Sequence, residues 1–113
     1  DNAGYPYFTQ SGEDREENGD QYIADMSDGS WAGFKYFTFD EEKEISITIR
    51  GAMNGVVKVY HDRANAPVAE IAIAPSKDWA EYKADFAPKQ GKQPLFFIFE
   101  GTNVADFKEF TTR

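Results

Sequence analysis

The sequence predicts an all-β domain, a sandwich or jelly roll of about nine antiparallel strands. Three observations carry this expectation. Apolar and polar residues alternate with a period of two where Ile45, Ile47 and Ile49 interleave with Ser46, Thr48 and Arg50, as in a strand buried on one face. The other apolar runs are short and separated by clusters of Gly, Pro, Asn and Asp, the residues that turns require. No stretch carries a convincing helical period. With 113 residues the chain has the size of one domain with one two-layer core, and it contains no internal repeat, long linker or low-complexity tract.

The elements follow in order. Tyr5 to Gln10 reads as a short strand entering the sheet. In Ser11 to Asp20, five acids (Glu13, Asp14, Glu16, Glu17 and Asp20) crowd around Arg15, with Gly12 and Gly19 towards either end, which predicts a loop. After Tyr22-Ile23 comes an aromatic-rich strand, Trp31 to Phe39, and then the alternating run at 45–50. Gly51 to Gly55 is a turn leading into a strand from Val56 to Tyr60. Asp62 to Pro67 and Pro75 to Asp78 are the turns on either side of a strand at Val68 to Ala74, and Ala80 to Phe86 follows. Leu95 to Phe99 is apolar on both faces, so it is a central strand covered by two layers or one that shows its second face to a ligand. Val104 to Thr112 closes the sheet.

Composition narrows the function. Aromatic residues are 16% of the chain, ten Phe, six Tyr and two Trp, more than a small core consumes, so some rings are expected to face solvent or a ligand. The formal charge of −8 repels a phosphate backbone or an anionic membrane surface, which argues against nucleic-acid and membrane partners. No apolar run approaches the roughly 20 residues that cross a bilayer. There is no cysteine, hence no disulfide framework and no thiolate zinc site.

Catalytic material is thin. The single histidine, His61, precedes Asp62 at the start of a turn and reads as a turn histidine rather than as the base of a nucleophilic hydrolase. The acidic loop could supply two carboxylates for glycoside hydrolysis, but that needs them about 5 to 10 Å apart across a cleft, and proximity in sequence does not set that distance. A solvated loop, or one that contacts a cation or sugar hydroxyls, is the reading adopted. Aromatic residues near loops are more informative, because the C–H face of a pyranose stacks on Trp or Tyr while polar neighbours take its hydroxyls. Trp79, placed at a loop end after Pro75 to Asp78, is the leading candidate against a ring that seals the core edge. Tyr22 and Trp31 carry the same two readings.

Taken together, several segments resemble the family 6 carbohydrate-binding modules and their relatives, in particular the modules that follow family 43 glycoside hydrolase domains. They are Tyr22-Ile23 with Gly33 to Phe39, Ile45 to Ala52 ending in Arg-Gly-Ala, Trp79-Ala-Glu-Tyr82, and Leu95 to Gly101 leading to Asp106 to Phe110. The resemblance implies a non-catalytic jelly-roll module, secreted or extracellular, that requires no cofactor. It would hold a glycoside hydrolase domain of the same chain against plant cell-wall polysaccharide, xylan or arabinoxylan. Its family cleft, carried over by position, would have Tyr22 and Trp79 clamping a sugar, Asn103 as the amide, and Glu13, Glu16 or Glu17 as the acid. The family's structural calcium would fall on Asp106 and on Gln10, where Thr9 and Gln10 replace an anionic pair, so a weak calcium site or none is expected. Two alternatives accompany this reading: binding on the sheet face around Phe97 and Phe99, and a purely structural module that packs on the catalytic domain.

Overall fold

The computed structural model describes residues 22–62 and 64–113. The predicted entering strand at Tyr5 to Gln10 and the acidic loop lie outside the described residues.

Eight strands are present among the described residues: β1 (Ile23–Met26), β2 (Trp31–Phe39), β3 (Glu44–Gly51), β4 (Asn54–Tyr60), β5 (Ala69–Ile73), β6 (Ser76–Asp85), β7 (Gly91–Thr102) and β8 (Ala105–Thr112). They form two four-stranded sheets, β1-β8-β3-β6 and β2-β7-β4-β5, and every pairing is antiparallel. Consecutive strands mostly step from one sheet to the other, so neighbours in a sheet are distant in sequence. That interleaving is the jelly roll.

Period-two alternation decides which side chains face between the sheets. In β3, Ile45, Ile47 and Ile49 are buried, as the sequence predicts. In β7, Leu95, Phe97 and Phe99 are fully buried, while Phe96 and Ile98 are half-exposed on the opposite face. β7 is thus a central strand, flanked by β2 and β4, and also shows a second apolar face. Phe97 and Phe99 themselves do not line that outer face. Residues of opposite parity do, because a shift of one residue exchanges the two faces.

Among the described residues seven phenylalanines are buried: Phe34, Phe39, Phe86, Phe97, Phe99, Phe107 and Phe110. Phe34, Phe97 and Phe110 pack with centroids 4.9 to 5.8 Å apart, within the range for favourable ring pairs. The large aromatic fraction is therefore divided by chemistry: the purely apolar Phe rings mostly fill the core, whereas Tyr22, Trp31 and Tyr36 are exposed.

His61 is not a solvated turn residue. It is 7% exposed, with Nδ1 3.0 Å from the Pro94 carbonyl and Nε2 3.0 Å from the Lys89 amide nitrogen. Nε2 must accept from that N–H, so Nδ1 carries the proton and donates to Pro94. The ring, just past the end of β4, ties that strand to Lys89 before β7 and to Pro94 within it.

Candidate functional site

The outer face of sheet β1-β8-β3-β6 gathers aromatic and charged side chains at one end. Ile49 pairs with Ala80 and Arg50 with Asp106, which sets Trp79, Arg50 and Asp106 side by side across β6, β3 and β8. Arg50 Nη2 donates to Asp106 Oδ2 at 3.1 Å, and the amide of Asp25 donates to Asp106 Oδ1, also at 3.1 Å. The hydrogen bond that Arg50 donates to Asp106 raises the Arg50 pKa above its ordinary value, so the guanidinium stays charged at any working pH.

Above that row stand the rings. Tyr22, just before β1, meets Trp79 edge to face, with centroids 5.3 Å apart and planes at 69°. The Arg50 guanidinium lies 4.2 Å from the Trp79 centroid and 5.2 Å from that of Tyr22. Lys108 Nζ, on β8, is 5.2 Å from the Trp79 ring. All these distances fall within cation–π range. An open pocket of about 450 Å³ adjoins this cluster, lined by Arg50, Gly51, Ala52, Pro75, Ser76, Lys77 and Asp106. Its walls are the β3–β4 turn, the start of β6 and the start of β8.

The structure brings together Tyr22 and Trp79, although 56 residues lie between them in the sequence. The two rings touch, however, and leave no gap between them. A pyranose clamped by two parallel rings would need about 3.5 to 4 Å on each side. Trp79 also lies inside β6 rather than at a loop end, because β6 begins at Ser76, four residues before the predicted start. Ser76 pairs with Gly51 across an irregularity in the ladder, a feature that the turn-like Pro75-Ser-Lys-Asp78 concealed.

Asn103 lies at the same end of the sandwich, in the turn between β7 and β8. Its backbone adopts φ 66°, which asparagine tolerates better than most residues, and its side-chain nitrogen is 3.5 Å from the Ala52 carbonyl. Ala52 lines the pocket, so Asn103 stands behind its wall. Trp31 lies elsewhere: it begins β2 in the other sheet and packs edge to face on Phe96 at 6.1 Å. Glu13, Glu16 and Glu17 lie outside the described residues.

Among the described residues no cluster of three or more His, Cys, Asp or Glu is arranged to hold a metal. Asp106 faces a guanidinium and a backbone N–H, and Gln10 lies outside the described residues. A calcium ion needs several anionic or carbonyl oxygens, and a cation bound at Asp106 would compete with Arg50 for its carboxylate. Sequence reasoning missed Arg50, Lys108 and Lys77. The alternation in β3 does put Arg50 on the outer face, but its aromatic neighbours come from strands far away in the chain.

No family model matches the chain. Over 110 residues, 97% of its length, it is 34% identical to a xylosidase/arabinosidase of Thermoclostridium stercorarium, and it spans 23% of that relative. Among solved structures, a family 6 carbohydrate-binding module from Clostridium cellulolyticum in complex with xylose superposes with a TM-score of 0.74 at 14% identity, covering 81% of this chain and 78% of that one. A β-1,3-glucan-binding family 6 module from Bacillus halodurans gives 0.73 at 13% identity over 81% and 75%. A family 43 arabinoxylan arabinofuranohydrolase from Bacillus subtilis in complex with cellotetraose gives 0.70 at 21% identity, covering 82% of this chain and 21% of that enzyme.

Proposed function

We propose that this chain, whose fold is that of the family 6 carbohydrate-binding modules, binds carbohydrate without catalysis as an accessory module of a glycoside hydrolase. Its target is plant cell-wall xylan or arabinoxylan. The supporting observation is the pairing of exposed Tyr22 with half-buried Trp79 beside an open pocket, aromatic surface next to hydrogen-bonding groups of the kind a sugar ring requires. The xylosidase/arabinosidase relative and the arabinoxylan-directed neighbour point to the substrate class, and a polymer-degrading partner points to an extracellular setting. Stacking on one open aromatic surface gives modest affinity, with Kd of order 10 to 1000 µM. A tether to the catalytic domain makes that sufficient by raising the effective concentration.

Trp79→Ala tests this reading. Losing the stacked ring costs roughly 1 to 3 kcal/mol of a small total, so binding of xylo-oligosaccharides, followed by calorimetric titration, should fall at least about tenfold while the fold survives by circular dichroism. Undiminished binding would remove the Tyr22–Trp79 surface as the site.

A second reading rests on the other sheet, where exposed Trp31 packs on half-exposed Phe96 and pairs with Ile98. That surface suits packing against the attached catalytic domain. Trp31→Ala should weaken association with that domain and leave oligosaccharide binding unchanged.

A further inference from the structure

We infer that the Tyr22–Trp79 site selects glycans that carry a carboxylate, that is, uronic-acid residues, over otherwise identical neutral ones. This rests on the reading that the site binds carbohydrate and specifies the class of sugar it prefers.

The inference starts from a mismatch between the whole molecule and this surface. The chain carries a net charge of −8, yet the ring pair is flanked by cations. Arg50 stands over both rings and Lys108 over Trp79, while Lys77 lines the adjoining pocket. Among the described residues that line the pocket the one carboxylate is Asp106, and both of its oxygens accept hydrogen bonds from the protein. Glu81 and Glu109 flank Thr48, one row further along the sheet, and oppose an anion from that side. Arg50 presents five donors in a fixed fork, of which Asp106 takes one by the 3.1 Å contact.

A neutral xylose unit uses only the stacking surface and hydroxyl hydrogen bonds. A uronate adds a planar carboxylate that matches guanidinium geometry bidentately. Arg50 and Lys108 both lie against the indole, so a sugar that packs on the ring pair brings its carboxylate beside a guanidinium or an ammonium. Desolvation by the flanking rings strengthens such a charge pair relative to one in open water. The acid can be a branch on a xylan backbone or a unit of a polyuronide main chain. Both present the same group, and the experiment separates them.

The test titrates the 113-residue chain with four ligands. These are a neutral xylo-oligosaccharide, the same oligosaccharide bearing one glucuronic acid branch, that branched compound with its carboxyl reduced to the alcohol, and an oligogalacturonide. At low ionic strength the branched acid should bind about 5-fold more tightly than its carboxyl-reduced form, the scale of one or two exposed charge pairs. That preference should shrink in 0.5 M salt, roughly three times the physiological ionic strength. Lys108→Gln and Lys77→Gln should each lower the ratio of the branched acid's affinity to that of its carboxyl-reduced form. Tighter binding of the oligogalacturonide than of the branched acid would assign the site to a polyuronide and still meet the inference. Equal or weaker binding of the acid than of its reduced form overturns the inference and leaves carbohydrate binding intact, whereas no binding of any of the four overturns both.

Discussion

His61 shows what one side chain contributes. Both ring nitrogens are engaged in a position that is 7% exposed, and Phe39 lies 5.9 Å from its ring. Replacing it with leucine keeps most of the volume and leaves the Pro94 carbonyl and the Lys89 amide without their partner. An orphaned buried group costs about 1 to 3 kcal/mol; both of these hydrogen bonds are part-buried, so His61→Leu should lower unfolding stability by about 1 to 3 kcal/mol in urea titration, while His61→Gln should recover part of that loss. No effect would mean that water replaces the ring. From the sequence, His61 resembled a turn residue because Asp62 follows it. Its burial depends on a segment nearly thirty positions later, which no local pattern encodes. Asp106 gives the complementary case: with Arg50 as its partner rather than a metal, chelation by EDTA should leave the melting temperature unmoved, and a clear drop would show a structural ion.

At the scale of elements, β4 and β7 come closest where Gly55 faces Gly101. A Cβ on Gly55 would overlap the Glu100 carbonyl oxygen, at 1.9 Å, and the obstacle is backbone that cannot rotate away. Gly55→Ala should therefore cost at least about 3 kcal/mol or prevent folding. Gly29→Ala is the control: its φ of 87° disfavours a side chain, yet nothing lies within 4 Å of the added atom, so the cost should stay near 1 to 2 kcal/mol. Denaturation midpoints of the two variants decide whether close approach or backbone conformation dominates. Strand existence was legible wherever alternation or an apolar run was strong, as in β3, β5 and β7. Strand limits were less so. β6 starts at Ser76 because the pairing of β3 continues through residues that in isolation form a turn, a case of tertiary pairing overriding local preference.

For the whole molecule, the all-β class and the two-layer architecture followed from periodicity and turn chemistry. The site was only partly legible. Tyr22 and Trp79 could be singled out because aromatic rings near loop ends have few roles other than packing or stacking, but their edge-to-face contact and the cations over them arise from the order of strands in the sheet. Phe97 and Phe99 illustrate the limit from the other side. Both were reasonable surface candidates in a run that is apolar on both faces, and the parity that buries them turns Phe96 and Ile98 outward instead.

The placement of β8 between β1 and β3 also governs how the polypeptide is made. A ribosome delivers β1 and β3 early, yet these two strands have no hydrogen-bonded neighbour in common until residues 105–112 emerge. Until then each exposes an unpaired edge able to recruit a strand from another chain. Folding must wait for the end of this segment, and pairings between such distant residues are slow to form. Truncation within β8 should therefore yield an aggregating product rather than a smaller folded one, a result that pelleting assays on nascent-chain lengths would reveal directly.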